Sequence, residues 1–372
     1  KIKLTSFQII LFGFLGVIFL GGIILMLPIC NKEGVWTSFI DAIFTSTSAV
    51  CVTGLIVHDT ATYWNMFGQI VILLLIQIGG MGIVTVAVSF ALLSGKKIGL
   101  FGRNTIKEAI SAPSVGGIVN LAGFIIKGIF LFELLGALVM MPIFVKDYGA
   151  EGIWMAIFHS ISAFCNAGFD LIGSNSIISY QYNPWFLFVI ASLITLGGIG
   201  FLVAKEIQEK FRKKHFIQSL SLHTKMVLVM SIGLILIGAF LIYCMEFNNA
   251  GTIGNMPLMH KITNSLFQSV TYRTAGFASF DQGAMHQSSK LLACFIMVIG
   301  GSPAGTAGGI KTVTVAALFL AVRATLQGKS DIVCFNRRIA QEHITRALAI
   351  ICISLMVIVG SSIVLCLIEP FD

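Results

Sequence analysis

The chain has 372 residues, of which 56% are hydrophobic and only 11% charged, with a formal net charge of +8. A soluble domain carries roughly a quarter charged residues, so this composition excludes an ordinary soluble protein and points to lipid as the solvent. The basic excess does not read as a nucleic-acid surface either, because it sits in short stretches between long apolar runs.

In chain order, the first apolar run is Phe7–Leu27. It is too long for a signal peptide and lacks a small-residue cleavage site, and it reaches the ~20 residues that cross a bilayer as a helix. Next come a polar segment, Asn31–Gly34, and a short amphiphilic stretch, Val35–Ser48. The hydroxyl-rich segment FTSTSAVCVTGL follows at Phe44–Leu55, and then a second expected span, Phe67–Leu93. The same order returns: span Ile118–Val145, loop Lys146–Gly152, short helix Ile153–Ala163, segment FHSISAFCNAGF at Phe158–Phe169, span Trp185–Ala204. It returns again: span Met226–Met245, loop Phe247–Met259, short helix Ile262–Thr271, segment FQSVTYRTAGF at Phe267–Phe277, then an interrupted span over Leu291–Ile299 and Thr312–Val322. A last run covers Ile344–Ile368. The short helices are too short to cross, so they are expected to dip into the membrane and turn back.

This order divides the chain into units at 1-104, 105-215 and 216-335, with 336-372 as the first helix of a fourth. The expected fold class is an all-α integral membrane protein built of repeated span–pore helix–span units around a central pore. Most of the 24 Lys and Arg lie in Lys96–Lys107, Lys205–Lys225 and Arg323–Arg346, with Lys1 and Lys3 at the start. The positive-inside rule places those loops and the N-terminus in the cytoplasm, and the three repeated segments enter from the other side.

The closing glycines Gly54, Gly168 and Gly276 are 114 and 108 residues apart. A glycine-ended, hydroxyl-rich segment in lipid is where backbone can leave the helix and offer carbonyl oxygens to an ion. The C-terminal end of each short helix adds the negative half of its dipole. No carboxylate lies inside the segments, which disfavours Ca²⁺ or Mg²⁺. Asp59, Asp170 and Asp281 follow the three glycines and are expected at the outer mouth, where they raise the local cation concentration. Arg273 is anomalous beside a cation path, and its guanidinium is expected to point behind the pore wall into a hydrogen bond. Gly79–Gly80 and Gly197–Gly198, in QIGGMGI and TLGGIGF, read as helix-packing glycines. The eight cysteines Cys30, Cys51, Cys165, Cys244, Cys294, Cys334, Cys352 and Cys366 show no metal spacing and read as small hydrophobes.

The stretch MVIGGSPAGTAGGIKT at Met297–Thr312 interrupts the third unit with glycines, a proline and hydroxyls. A helix does not run through that composition. Non-helical backbone at membrane depth survives only against protein or a water-filled cavity, so this loop is expected under the third glycine segment, with Lys311 paired to a carboxylate or obstructing cations.

Together, CVTGL, CNAGF, RTAGF, QIGGMG, SLHTK at Ser221–Lys225 and GGSPAGTAGGIKT make the chain resemble, over essentially its whole length, the Trk/Ktr/HKT superfamily of potassium transporters. Within it the resemblance is to the membrane subunit of bacterial Ktr systems. The resemblance implies a K⁺ selectivity filter at Cys51, Val52, Thr53 and Gly54; Cys165, Asn166, Ala167 and Gly168; and Arg273, Thr274, Ala275 and Gly276, with K⁺ held by backbone carbonyls. Relatives with serine at the first filter glycine tend toward Na⁺, and Gly54 favours K⁺. The resemblance gives a gating role to the loop Gly300, Gly301, Ser302, Pro303, Ala304, Gly305, Thr306, Ala307, Gly308, Gly309 and Lys311. It implies a homodimer in the bacterial plasma membrane, multi-pass, with a cytosolic RCK-type (KtrA-like) nucleotide-binding ring docked on the basic loops. The nucleotide belongs to that partner, and Na⁺ is a candidate activator. The fourth unit's filter is not found in the sequence and is expected to lie beyond it.

The alternative function is a Na⁺- or H⁺-coupled symporter, which also uses broken helices. It needs an ionisable relay, and the deep candidates are Lys127, Glu133 and Lys311; Glu133 is expected to pair with Lys127 or a neighbouring helix. An enzyme is not indicated, because no HExxH, paired Asp or Ser/His constellation occurs, and His159 and His260 are isolated.

Overall fold

The computed structural model describes residues 5–82, 85–86, 100–109, 118–329 and 331–369. Lys1, Lys3, Lys96, Lys97 and nearly all of the expected second span beyond Gly82 lie outside the described residues.

The described helices of ten residues or more are α1 (Ser6–Met26), α2 (Phe39–Cys51), α3 (Met66–Met81), α4 (Leu100–Ala109), α5 (Ile118–Tyr148), α6 (Glu151–Phe164), α7 (Pro184–Gly198), α8 (Phe201–Lys210), α9 (Leu222–Glu246), α10 (Leu258–Thr271), α11 (Gln287–Val298), α12 (Thr312–Leu326) and α13 (Gln341–Ile368). A hairpin of two short strands, Val333–Cys334 and Arg337–Arg338, is a small departure from the all-helical expectation. Among the described residues, four helices are long and apolar enough to cross a membrane, within α1, α5, α9 and α13. The protein is a mostly helical, multi-pass membrane protein.

Local signals set the helix starts. Thr5 and Gln8 form a reciprocal capping box at α1, which satisfies backbone donors that the helix itself cannot. Asn65 and Asn183 cap α3 and α7, each accepting from a backbone N–H at 3.1 Å. Pro184 stands at the first position of α7, where the missing N–H costs nothing.

α1, α2 and α3 pack together; so do α5, α6 and α7, and α9 packs on both α10 and α11. The groups join sideways, α3 against α6 and α7 against α10. Lipid is as apolar as leucine, so close approach and hydrogen bonds hold such bundles together. The same device recurs three times. Ser46, Ser160 and Ser269 donate to the carbonyls of Ile18, Glu133 and Ile235 at 2.8, 2.6 and 2.9 Å. A glycine on the long helix, Gly21, Gly136 or Gly238, makes room for each hydroxyl, and a Cβ there would collide with the serine oxygen.

Three boundaries differ from the sequence expectation. The short helices are shifted, running over 39–51, 151–164 and 258–271, so Cys51 is the last helical residue of α2. The expected span Trp185–Ala204 is not continuous. It breaks after Gly198, and α8 leaves at 95° to α7, with Gly200 in the positive-φ region at 94°. α3 likewise stops at Met81, before Gly82 at φ 77°.

Candidate functional site

α2, α6 and α10 end the same way. One, two and three residues past the respective helix ends, and in each case two before the closing glycine, the backbone enters the left-handed region, at Val52 (φ 57°), Asn166 (φ 60°) and Thr274 (φ 65°), and again at Gly54 (φ 76°), Gly168 (φ 74°) and Gly276 (φ 86°). A β-branched residue such as Val52 seldom adopts that conformation, and such outliers persist only where surrounding structure holds them. Here the clamp is visible. Thr53 N and Ala167 N donate to Ser48 O and Ser162 O at 2.9 and 2.8 Å, and Ala275 N donates to Thr271 O at 2.9 Å. The hydroxyls of Ser162 and Thr271 donate to the carbonyls of Phe169 and Phe277, just past the glycines, at 2.6 and 2.8 Å.

The three turns meet. A Cβ on Gly54 would sit 2.5 Å from the Ala167 carbonyl oxygen and 3.2 Å from Gly168 Cα. One on Gly168 would sit 2.7 Å from the Ala275 oxygen and 2.9 Å from Gly276 Cα, and one on Gly276 would be 3.1 Å from Gly168 Cα and 3.8 Å from Thr53 O. Segments separated by more than 100 residues therefore lie backbone against backbone, with three helix C-termini, the negative dipole ends, entering the same place.

The second helices press on these turns from behind. A Cβ at Gly79 would strike the Val50 carbonyl, at Gly80 the Cys165 sulfur, and at Gly197 the Phe164 carbonyl. The glycine pairs are thus packing glycines, as their composition indicates, and what they pack on is the glycine-ended segments.

Cys51, Cys165 and Arg273 begin the three motifs but have different surroundings. Cys51 is exposed and Cys165 buried. Arg273 is 4% exposed, and its guanidinium donates to Ser231 on α9 at 3.2 Å. Behind Cys165 lies Glu133, 4% exposed, whose carboxylate accepts from the Gln77 amide at 2.9 and 3.1 Å. Cys165 Sγ is 3.8 Å from the same carboxylate. Glu133 therefore bonds to the neighbouring helix α3, and Lys127 is exposed. Gln77→Leu would leave a buried carboxylate short of its donor, costing about 3 kcal/mol. The expected result is a lower unfolding temperature in detergent, partly restored by adding Glu133→Leu. A double variant no more stable than the single one would deny the coupling.

α11 and α12 are separated by the loop from Ile299 to Lys311, as the composition requires. The loop closes on itself through Gly301 N to Gly308 O at 3.1 Å and Thr312 N to Gly301 O at 3.1 Å. It also repairs the break between α7 and α8. Ser302 N donates to Gly198 O at 2.9 Å, Thr306 N to Gly197 O at 3.0 Å, and Phe201 N donates to Ala304 O at 2.9 Å. Unpaired backbone at membrane depth costs several kcal/mol per group, so each broken helix supplies what the other lacks. Gly200 fits here because a Cβ would meet the Pro303 carbonyl. Lys311 Nζ donates to Ala307 O at 2.8 Å, within its own loop.

The three aspartates each bond the turn that follows. Asp59 Oδ1 accepts from Ala61 N at 2.8 Å and Thr62 N at 2.9 Å. Asp170 Oδ1 accepts from Ile172 N and Gly173 N at 3.0 and 3.2 Å, and Asp281 Oδ1 from Gly283 N at 2.8 Å. Two neighbouring clefts share Ser174, Asn175, Ser176 and Ile178; one is lined by Asp59 and the other by Asp281. Burial raises the Asp170 carboxyl to about 6; the two backbone N–H groups oppose this and the Asp59 charge adds to it.

SLHTK also acquires a physical role. Glu206 on α8 accepts from Ser221 N and Ser221 Oγ at 2.7 and 2.6 Å, and from the Thr224 hydroxyl. Ser221 Oγ in turn caps α9 through Thr224 N at 3.2 Å. The basic stretches around it are partly neutralised, by Glu206 on Lys210, Asp331 on Arg338 and Glu342 on Arg346.

Residues 6–370 match the family model TrkH, described as a cation transport protein. The chain is 38% identical over 368 residues to the potassium/sodium uptake protein NtpJ of Enterococcus hirae, covering 99% of this chain and 80% of that protein. It is 41% identical over 362 residues to the Ktr system potassium uptake protein B of Bacillus subtilis, covering 96% and 79%. The corresponding protein of Vibrio alginolyticus is 35% identical over 97% of the chain and 79% of its own length. The crystal structure of the potassium transporter TrkH from Vibrio parahaemolyticus shares the fold, with a TM-score of 0.74 at 17% identity over 97% of this chain and 71% of that one. The chain belongs to the TrkH family of cation transport proteins.

Proposed function

We propose that this protein takes up potassium across a bacterial plasma membrane, through a channel-like path lined at its narrowest by backbone carbonyls of residues 51–54, 165–168 and 273–276. The observation that carries the reading is the meeting of Gly54, Gly168 and Gly276, each at positive φ and each following the C-terminal end of a short helix. Carbonyl rings of this kind replace the water shell of a monovalent cation. Relatives named for potassium or potassium/sodium uptake support the choice of ion. The units run over 1-104, 105-215 and 216-335, with 336-372 opening a fourth. The N-terminus and basic stretches face the cytoplasm, by the positive-inside rule. The loop 300–311 is the gate. Its regulator is an RCK-type ring that binds the nucleotide and docks on 205–225 and 323–346, and the membrane subunit is a homodimer. K⁺ is the cargo, and Na⁺ acts as an activator.

The second reading, a Na⁺- or H⁺-coupled symporter, rests on Glu133, a carboxyl group at membrane depth. Its bonds to Gln77 and proximity to Cys165 favour a role in holding the second segment instead. Uptake of radioactive rubidium into vesicles under an imposed voltage separates the two. Flux that follows voltage alone supports the channel-like path, and flux that requires a Na⁺ or H⁺ gradient overturns it.

Asp170 gives a pH dependence. Asp170 is neutral below about 6 and charged above it, so acidifying the outside removes negative field from the mouth. Uptake at limiting K⁺ is expected to fall as external pH drops through that value, and Asp170→Asn is expected to be low and flat. An unchanged profile in Asp170→Asn would remove the aspartate from the mouth.

A further inference from the structure

Loop 300–311 is bonded to the ends of two of the three turns as well as to the broken helix. Thr306, 8% exposed, donates its hydroxyl to the Phe164 carbonyl at 2.9 Å, at the last residue of α6. The same hydroxyl is 3.1 Å from the side-chain amide of Asn166. That amide, turned to present its nitrogen, donates to Thr306 Oγ1 at 3.1 Å and also reaches Phe164 O and Ile194 O at 3.3 Å. Asn166 is 2% exposed and is itself one of the left-handed residues of the second turn. Two residues along the loop, Gly308 N donates to the Thr274 hydroxyl at 3.0 Å, and Thr274 is the matching left-handed residue of the third turn. The loop thus grips equivalent points on two turns, one through a side chain and one through its backbone.

A plug that merely occludes a path needs no bonds to the side chains that brace these turns. Asn166 and Thr274 hold conformations that cost L-residues roughly 1–2 kcal/mol each, and the loop supplies part of what holds them. The geometry points to Thr306 as a positioning residue for ion discrimination: the loop, while seated, fixes the shape of the second and third turns, so that unseating it loosens selectivity as it raises flux. This rests on the reading of residues 51–54, 165–168 and 273–276 as the carbonyl-lined constriction.

The test uses the full-length protein in vesicles, with rubidium uptake competed by K⁺ and by Na⁺, for Thr306→Val and Thr306→Ser. Valine keeps the shape and removes the hydroxyl, whereas serine keeps the hydroxyl. The expected result is that valine raises initial flux and lowers K⁺-over-Na⁺ discrimination by about tenfold, the equivalent of one buried hydrogen bond, while serine behaves as wild type. Higher flux with unchanged discrimination overturns the inference and leaves the loop a simple plug, as does equal behaviour of the two variants. If Thr306→Val does not reach the membrane, Thr306→Ala against Thr306→Ser asks the same question, with the same outcomes. Wild-type protein with no preference for K⁺ would instead sink the reading of the constriction itself.

Discussion

Gly168→Ala is expected to abolish potassium-selective uptake while leaving the protein able to insert. The added methyl would sit 2.7 Å from the Ala275 carbonyl oxygen and 2.9 Å from Gly276 Cα. Both are backbone atoms of another turn and cannot swing aside as a side chain would. The backbone at φ 74° adds its own penalty of roughly 1–2 kcal/mol for an L-residue. Gly54→Ser pushes on the Ala167 carbonyl in the same manner, at 2.5 Å from the new Cβ, and is expected to retain flux but shift preference toward Na⁺. Gly128→Ala on α5 is the matched control, because among the described residues nothing lies within 4 Å of a Cβ built there. Growth of potassium-uptake-deficient cells on limiting K⁺, followed by vesicle uptake with K⁺ and Na⁺ competition, measures all three. Wild-type selectivity in both Gly168→Ala and Gly54→Ser would end the assignment of these turns to the ion.

Deleting Gly300–Gly309 is expected to give a faster transporter that responds less to the proposed cytosolic regulator. The deletion also removes the donors to the Gly197 and Gly198 carbonyls and the acceptor for Phe201 N. Those groups then turn to water in the opened path, so a loss of thermal stability in detergent should accompany the gain in rate. Initial rates with and without the regulatory partner measure the first effect, and unfolding temperature the second. Unchanged flux after the deletion would show that the loop does not gate.

Some of this arrangement was readable in one sequence because it repeats. Hydroxyls followed by glycine, three times at nearly equal spacing, mark Gly54, Gly168 and Gly276, and the composition of 300–312 rules out a helix without further information. The break at Ile199–Gly200 was not readable. TLGGIG inside an apolar run reads as helix packing, and the need for a break becomes visible only once the loop carbonyls and amides are seen to pair with it. Gly21, Gly136 and Gly238 are silent in the sequence, because a single glycine in a span carries no signal until its serine partner is located. Arg273 meets Ser231, a neutral hydroxyl on another helix, and no charge pattern predicts that bond. Position alone marks the aspartates in the sequence, and their bonding to their own turns is ordinary loop chemistry.

The bend between α7 and α8 has a mechanical consequence. A ten-residue arm set at 95° to its shaft, with a glycine as pivot, is a bell crank. Ser221 and Thr224 fasten its outer part to the root of α9 through Glu206, and the Phe201–Ala304 bond joins its pivot to the loop. A sideways push on the arm is therefore expected to reach residue 304 as torque, through that one bond.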